Sequence, residues 1–154
     1  MTYLIMAGCA FLITLVLTPL IKWVSVKADA YARENKRTVH HGKISRIGGV
    51  GIYIAYCVCA GIFLETDQAT IAIFISASVM FFTGLYDDFF EIKPRTKLIW
   101  QILAGLILVA DGVGINALHL PFGISVDNWF VSAAFTLVWV IVIINAVNLS
   151  DGLD

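Results

Sequence analysis

Asp87 and Asp88 stand side by side in "GLYDDFFEIKPRTKLIWQ", and Asn145, Asn148, Asp151 and Asp154 recur at steps of three in "NAVNLSDGLD". Carboxylate and amide oxygens are the ligands that a hard cation such as Mg²⁺ takes. Neighbouring helical positions point about 100° apart, so Asp87 and Asp88 cannot both face one ligand squarely. One can ligate a metal or take a proton while the other braces a Lys or Arg. Lys97 follows in what reads as the first turn of the next helix, where the helix dipole is positive. Carboxylate beside ammonium suits a metal-bound phosphate, with oxygens for the metal and a cation for the phosphoryl group.

Asn145 and Asn148 lie one turn apart, hence on one side of a helix. In a continuous helix Asp154 would have rotated away from them. Gly152 is expected to end the helix and let that carboxylate curl back. The negative end of a helix dipole favours a bound cation there. A third cluster, "KRTVHHGKISRIGGVG", holds His40, His41 and four Lys/Arg side chains ahead of a glycine pair. Those residues, with backbone donors at a helix start, suit an anionic group. Each cluster also has a plainer reading. The aspartates could be a solvated interfacial charge run, and the amides ordinary capping. The basic loop could be topogenic and drawn to anionic lipid, with Gly48, Gly49 and Gly51 easing helix packing.

The elements that carry these clusters are apolar. The chain has 154 residues, 60% hydrophobic and only 14% charged, where a soluble domain would carry about a quarter charged. A multi-pass membrane protein is expected, with five apolar runs near 3–24, 47–64, 69–86, 94–110 and 129–149. The fourth is short, and starting it at Pro94, a good first-turn residue, lengthens it. Pro19 is expected to kink the first. No basic stretch precedes that run, so it reads as an uncleaved anchor rather than a signal peptide. All ten Lys and Arg fall between runs one and two, or at their edges, and between runs three and four. The positive-inside rule then gives an external N-terminus and puts all three clusters on the cytoplasmic side. Cys9, Cys57 and Cys59 lie inside apolar runs and read as small hydrophobes. The stretch 111–128 alternates apolar residues with Gly and Pro and predicts a short external hairpin or turn; His119 within it is not expected to do chemistry.

At these residues the sequence resembles the polyprenyl-phosphate N-acetylhexosamine-1-phosphate transferases, a membrane family of glycosyltransferase family 4. "GLYDDFFEIKPRTKLIWQ" is similar to its double-aspartate segment, including Pro94, Lys97 and Gln101, and "NAVNLSDGLD" to its Asn-x-x-Asn-x-x-Asp-Gly-x-Asp motif. "RTVHHGKISRIGG" resembles its first-loop motif in Arg37, Val39, His40, Arg46, Gly48 and Gly49, but has Ser45 where many members carry proline. The resemblance implies an all-α membrane fold and Mg²⁺-dependent transfer, with Mn²⁺ as an alternative metal. The oxygen of a polyprenyl phosphate attacks the β-phosphorus of a UDP-N-acetylhexosamine. UMP leaves, and a lipid pyrophosphate-linked sugar forms at the cytoplasmic face of the bacterial plasma membrane. By motif, Asp87 deprotonates or positions the lipid phosphate with Asp88 in support, and a covalent aspartyl intermediate stays open. Asn148, Asp87 and Asp151 are the implied metal ligands. Lys97, Asn145, Asp154, His40 and Arg46 are the implied substrate contacts, with Asp154 near the uridine. The Ser-Arg-Ile-Gly-Gly form favours UDP-GlcNAc as donor over the phospho-MurNAc-pentapeptide substrate.

Family members are about twice this long, with roughly ten spans. The chain therefore reads as an N-terminal part with about five transmembrane helices, expected to be inactive alone. UDP-GlcNAc-dependent UMP release by these residues in lipid would contradict that. Expected partners are the two substrates and the bilayer, with a homodimer left open and no nucleic acid. The rival from another class is a small cation transporter or channel subunit. Against it, the acids and amides sit at span ends, whereas transport sites lie near the midplane.

Overall fold

The computed structural model describes residues 1–27, 47–115, 118–120, 124–126 and 128–151. Five helices carry the chain: α1 (Thr2–Lys27), α2 (Gly48–Phe63), α3 (Gln68–Phe90), α4 (Pro94–Ala110) and α5 (Trp129–Asp151). Between α4 and α5 lies the expected hairpin, β1 (Leu118–Leu120) paired antiparallel with β2 (Ile124–Val126), His119 opposite Ser125. α1, α3 and α5 are long and apolar enough to cross a membrane. α2 has 16 residues and rises about 24 Å, short of the roughly 30 Å hydrocarbon core. Among the described residues the expected second span is thus a shorter apolar helix. α1 stays helical through Pro19, although proline offers no N–H to the preceding turn.

The packing is of the kind lipid favours. Large apolar side chains such as Phe11, Trp23, Ile62, Phe82, Phe130 and Val147 are exposed, while the buried positions are mostly small: Ala55, Cys59, Ala60, Ala72, Ala104 and Ser25. With no hydrophobic drive between helices in lipid, small residues that let backbones approach are what hold a bundle.

The chain divides into two units. The first comprises Met1–Glu65 and Gly84–Glu91. Here α2 turns one stripe of small residues inward, Gly51, Ala55 and Cys59, each four apart. A Cβ on Gly51 would come within 2.7 Å of Ile21 Cδ1, so α1 passes close at this point. Gly48 and Gly49 have nothing within 4 Å of an added Cβ, so of the three glycines only Gly51 serves that packing. All three cysteines are free and half-buried or buried, as small hydrophobes are. Lys27 lies over the Trp23 ring, 3.8 Å from its centroid, an aromatic–cation pair suited to a membrane interface.

The second unit comprises Thr66–Thr83 and Ile92–Asp154. Its helix starts follow local chemistry. Asp67 Oδ1 accepts the Thr70 N–H at 2.7 Å, and Asn128 Oδ1 accepts from Phe130 at 2.9 Å and Val131 at 3.3 Å, so each caps a helix N-terminus. Lys93 is extended and Pro94 opens α4. At the far end Gly112 takes φ +72°. Its N–H reaches the Val109 carbonyl at 3.1 Å while Val113 N–H reaches Leu108 at 2.9 Å, the paired bonds of a Schellman stop. Ser76 Oγ donates to the Ala104 carbonyl at 2.8 Å, tying α3 to α4.

Candidate functional site

The double aspartate is part of the first unit and helical, because α3 runs on to Phe90, four residues past the expected end of its span. Asp87 is half-buried and Asp88 exposed, the different facing that adjacent helical positions require. The helix stops immediately after them. Glu91 takes φ +48°, and its N–H bonds the Asp87 carbonyl at 2.9 Å, so a left-handed residue ends the acidic segment.

The amide motif and the lysine belong to the second unit. Lys97 is half-buried in the first turn of α4, where Lys97 N–H bonds the Lys93 carbonyl at 3.2 Å. One turn on, Gln101 is 3% exposed and faces α5. Its Nε2 donates to Asn145 Oδ1 at 3.3 Å, while Asn145 Nδ2 donates to Gln101 Oε1 at 2.8 Å and to the Ile141 carbonyl at 2.8 Å. Reciprocal amide pairing of this kind satisfies the buried Gln101 amide from the exposed Asn145, at roughly 0.6–2 kcal/mol in membrane proteins.

The pairing also sets a register. Gly105 meets Leu137 and Gln101 meets Asn145, so α4 and α5 run antiparallel. From Gly105 to Gln101 is four residues and from Leu137 to Asn145 eight, so the two amide side chains reach across about one extra turn. Asn148 is exposed. Lys97 in the first turn of α4 and Asn148 in the last turn of α5 thus lie at the same end of the helix pair.

Of the other expected site residues, Asp151 is the last residue of α5, with its side chain outside what is described; His40, Arg46, Asp154 and Gly152 also lie outside the described residues. Sequence reasoning passed over Gln101 as a working part, noting it only as a motif match. The signal was present: a lone Gln amid apolar residues in a membrane helix must find a partner.

The donors present, carboxylate and amide oxygens, are of the hard type that Mg²⁺ takes, so the residue types fit that ion. Among the described residues no three His, Cys, Asp or Glu side chains gather into a cluster. At the other end of α4 and α5, Gly112, Gly114, Trp129, Ser132 and Thr136 line a cavity of ≈ 30 Å³. It has room for a water molecule and none for a nucleotide.

Comparison with known proteins gives the family. The family model described as glycosyl transferase family 4 matches residues 70–154, which include both the double aspartate and the amide motif. A probable undecaprenyl-phosphate N-acetylglucosaminyl 1-phosphate transferase of Bacillus subtilis is 29% identical over 149 residues, covering 94% of this chain and 41% of the relative. A decaprenyl-phosphate N-acetylglucosaminephosphotransferase of Mycobacterium leprae is 31% identical over 160 residues, 94% of this chain and 39% of the relative. A phospho-N-acetylmuramoyl-pentapeptide-transferase of Latilactobacillus sakei is 30% identical over 166 residues, 94% of this chain and 51% of the relative. The chain thus spans about two fifths to one half the length of these relatives. No solved structure matches. With the match covering more than half of its length and both chemical motifs, this chain belongs to glycosyl transferase family 4.

Proposed function

We propose that the protein transfers a sugar-1-phosphate from a UDP-N-acetylhexosamine, UDP-GlcNAc in the first instance, to a polyprenyl phosphate. An oxygen of the lipid phosphate bonds to the β-phosphorus of the donor, the α–β bridge breaks, and UMP leaves. The observation that carries this reading is the family match over 70–154 together with named relatives that act on undecaprenyl or decaprenyl phosphate. Asp87 is the residue to hold or deprotonate the attacking phosphate, and its half-buried setting at the end of α3 suits that task. Lys97, in the first turn of α4, would neutralise phosphoryl charge as the bridge breaks. Asn148, with Asp87 and Asp151, would hold Mg²⁺, which supplies charge stabilisation to the pyrophosphate. The basic loop with His40 and Arg46, and Asp154, are the remaining substrate contacts in this reading. The site is proposed to face the cytoplasm, because every Lys and Arg lies in or beside the two loops on that side.

The relative from Latilactobacillus sakei supports a second reading, with a phospho-MurNAc-pentapeptide donor. Both are tested in the protein as its gene encodes it, reconstituted with undecaprenyl phosphate and Mg²⁺. UMP release is expected with UDP-GlcNAc and not with UDP-MurNAc-pentapeptide. Asp87→Asn is expected to lower the rate by about 10²–10⁴-fold, the range for loss of a positioned acid–base group. Undiminished UMP release by that variant, or loss of an ion flux with UMP release intact, would refute the assignment.

A further inference from the structure

The implied role of Asn145 is a direct substrate contact, and its hydrogen bonds argue for something else. An Asn side chain has two N–H donors and one carbonyl oxygen. Both donors of Asn145 have partners, Gln101 Oε1 and the Ile141 carbonyl, each at 2.8 Å. The orientation is fixed by chemistry. A backbone carbonyl can only accept, so Nδ2 must face Ile141, and Gln101 must then offer its oxygen to Nδ2 and its nitrogen to Oδ1. Asn145 is left with one acceptor lone pair and nothing to donate. Gln101 in turn is 3% exposed and spends its amide on Asn145.

We propose that Gln101 and Asn145 form an interhelical clamp whose work is to hold the end of α5 in register with the start of α4, where Lys97 and Asn148 lie at the same end of the pair. Asn145 acts through Gln101, and Gln101 is a positioning residue. The spacing supports this division. Lys97 is four residues before Gln101 and Asn148 three after Asn145, so each chemical residue sits one turn beyond its half of the clamp. Slip of α5 by a single residue would turn Asn148 by about 100° from its present facing. The consequence for phosphate transfer rests on the transferase reading above; the clamp itself does not.

The test uses the whole protein in lipid nanodiscs, with Gln101→Leu, Asn145→Leu, the double Leu variant, and the exchanged pair Gln101→Asn with Asn145→Gln. Amide hydrogen exchange over 146–151 reads the clamp without reference to activity. UMP release from UDP-GlcNAc reads its consequence. Gln101→Leu is expected to speed exchange in that segment at least tenfold. It is also expected to lower kcat at least tenfold while changing KM for UDP-GlcNAc less than threefold. The double Leu variant is expected to be no worse than either single one, and the exchanged pair to recover above its own single variants in both readouts. Unchanged exchange in Gln101→Leu overturns the proposal. So does an Asn145→Leu loss that far exceeds that of Gln101→Leu, adds to it, and is not recovered by the exchanged pair, since that pattern marks direct contact with substrate. If the unmodified protein releases no UMP, the transferase reading fails, and exchange with its recovery decides the clamp alone.

Discussion

Glu91 ends the acidic helix at φ +48°, a left-handed conformation that costs a non-glycine L-residue roughly 1–2 kcal/mol. Because its N–H is bonded to the Asp87 carbonyl at 2.9 Å, the strain sits within one turn of the proposed attacking machinery. Glu91→Gly removes the Cβ penalty and adds an entropic cost of about 0.5–1 kcal/mol. The balance is a gain of about 0–1.5 kcal/mol. Glu91→Val keeps the penalty and adds a branched side chain that tolerates positive φ poorly, so it falls below the parent. Both substitutions remove the same carboxylate, and any charge effect cancels between them. The two variants should therefore differ by about 1 kcal/mol, roughly a fivefold ratio in opening equilibrium. Amide hydrogen exchange of residues 88–91 in lipid nanodiscs measures it, with Glu91→Val about fivefold faster than Glu91→Gly and Glu91→Asn between them. Equal exchange in the Gly and Val variants would refute the left-handed stop and its hold on Asp87.

The remaining predictions concern the frame around the site. Hydrogen bonds from Thr70, through its side chain and its backbone N–H, hold the Asp67 carboxyl below its ordinary value of 3.8. A depressed folded pKa contributes stability that is present above the unfolded value and lost as pH falls through the folded one. Thermal stability should therefore drop below about pH 4, and Asp67→Asn, which keeps an oxygen acceptor, should flatten that dependence. Thr136 Oγ1 accepts the Ile115 N–H at 2.9 Å and donates to the Ser132 carbonyl at 2.8 Å. Thr136→Val keeps the shape and strands the Ile115 N–H, so the stability cost should be about 1–3 kcal/mol, read as faster exchange at Ile115 against an unchanged α3.

The helices were legible because lipid asks for long apolar runs, and the hairpin because Gly and Pro interrupt an alternating stretch. Helix ends were less so. α3 continues through Asp87 and Asp88 to Phe90, since a charged residue at an interface need not stop a helix, and nothing in "FFEIKP" marks Glu91 as left-handed. The candidate site was legible as residue types and spacing, but not as partnership. Periodicity tells which residues share one face of a helix; it does not tell which face of another helix they meet. That second fact comes from a pair of contacts along the seam. Here Gly105 against Leu137 and Gln101 against Asn145 fix the antiparallel direction. A close approach at a glycine alone would tolerate sliding, because one leucine methyl can rotate away. Two amides that must satisfy each other cannot slide by even one residue without leaving a buried polar group unpaired. The buried glutamine thus does what no count of apolar residues could do: it converts two greasy helices into one specified alignment. It is that alignment which brings Lys97 and Asn148, far apart in the chain, to the same end of one helix pair.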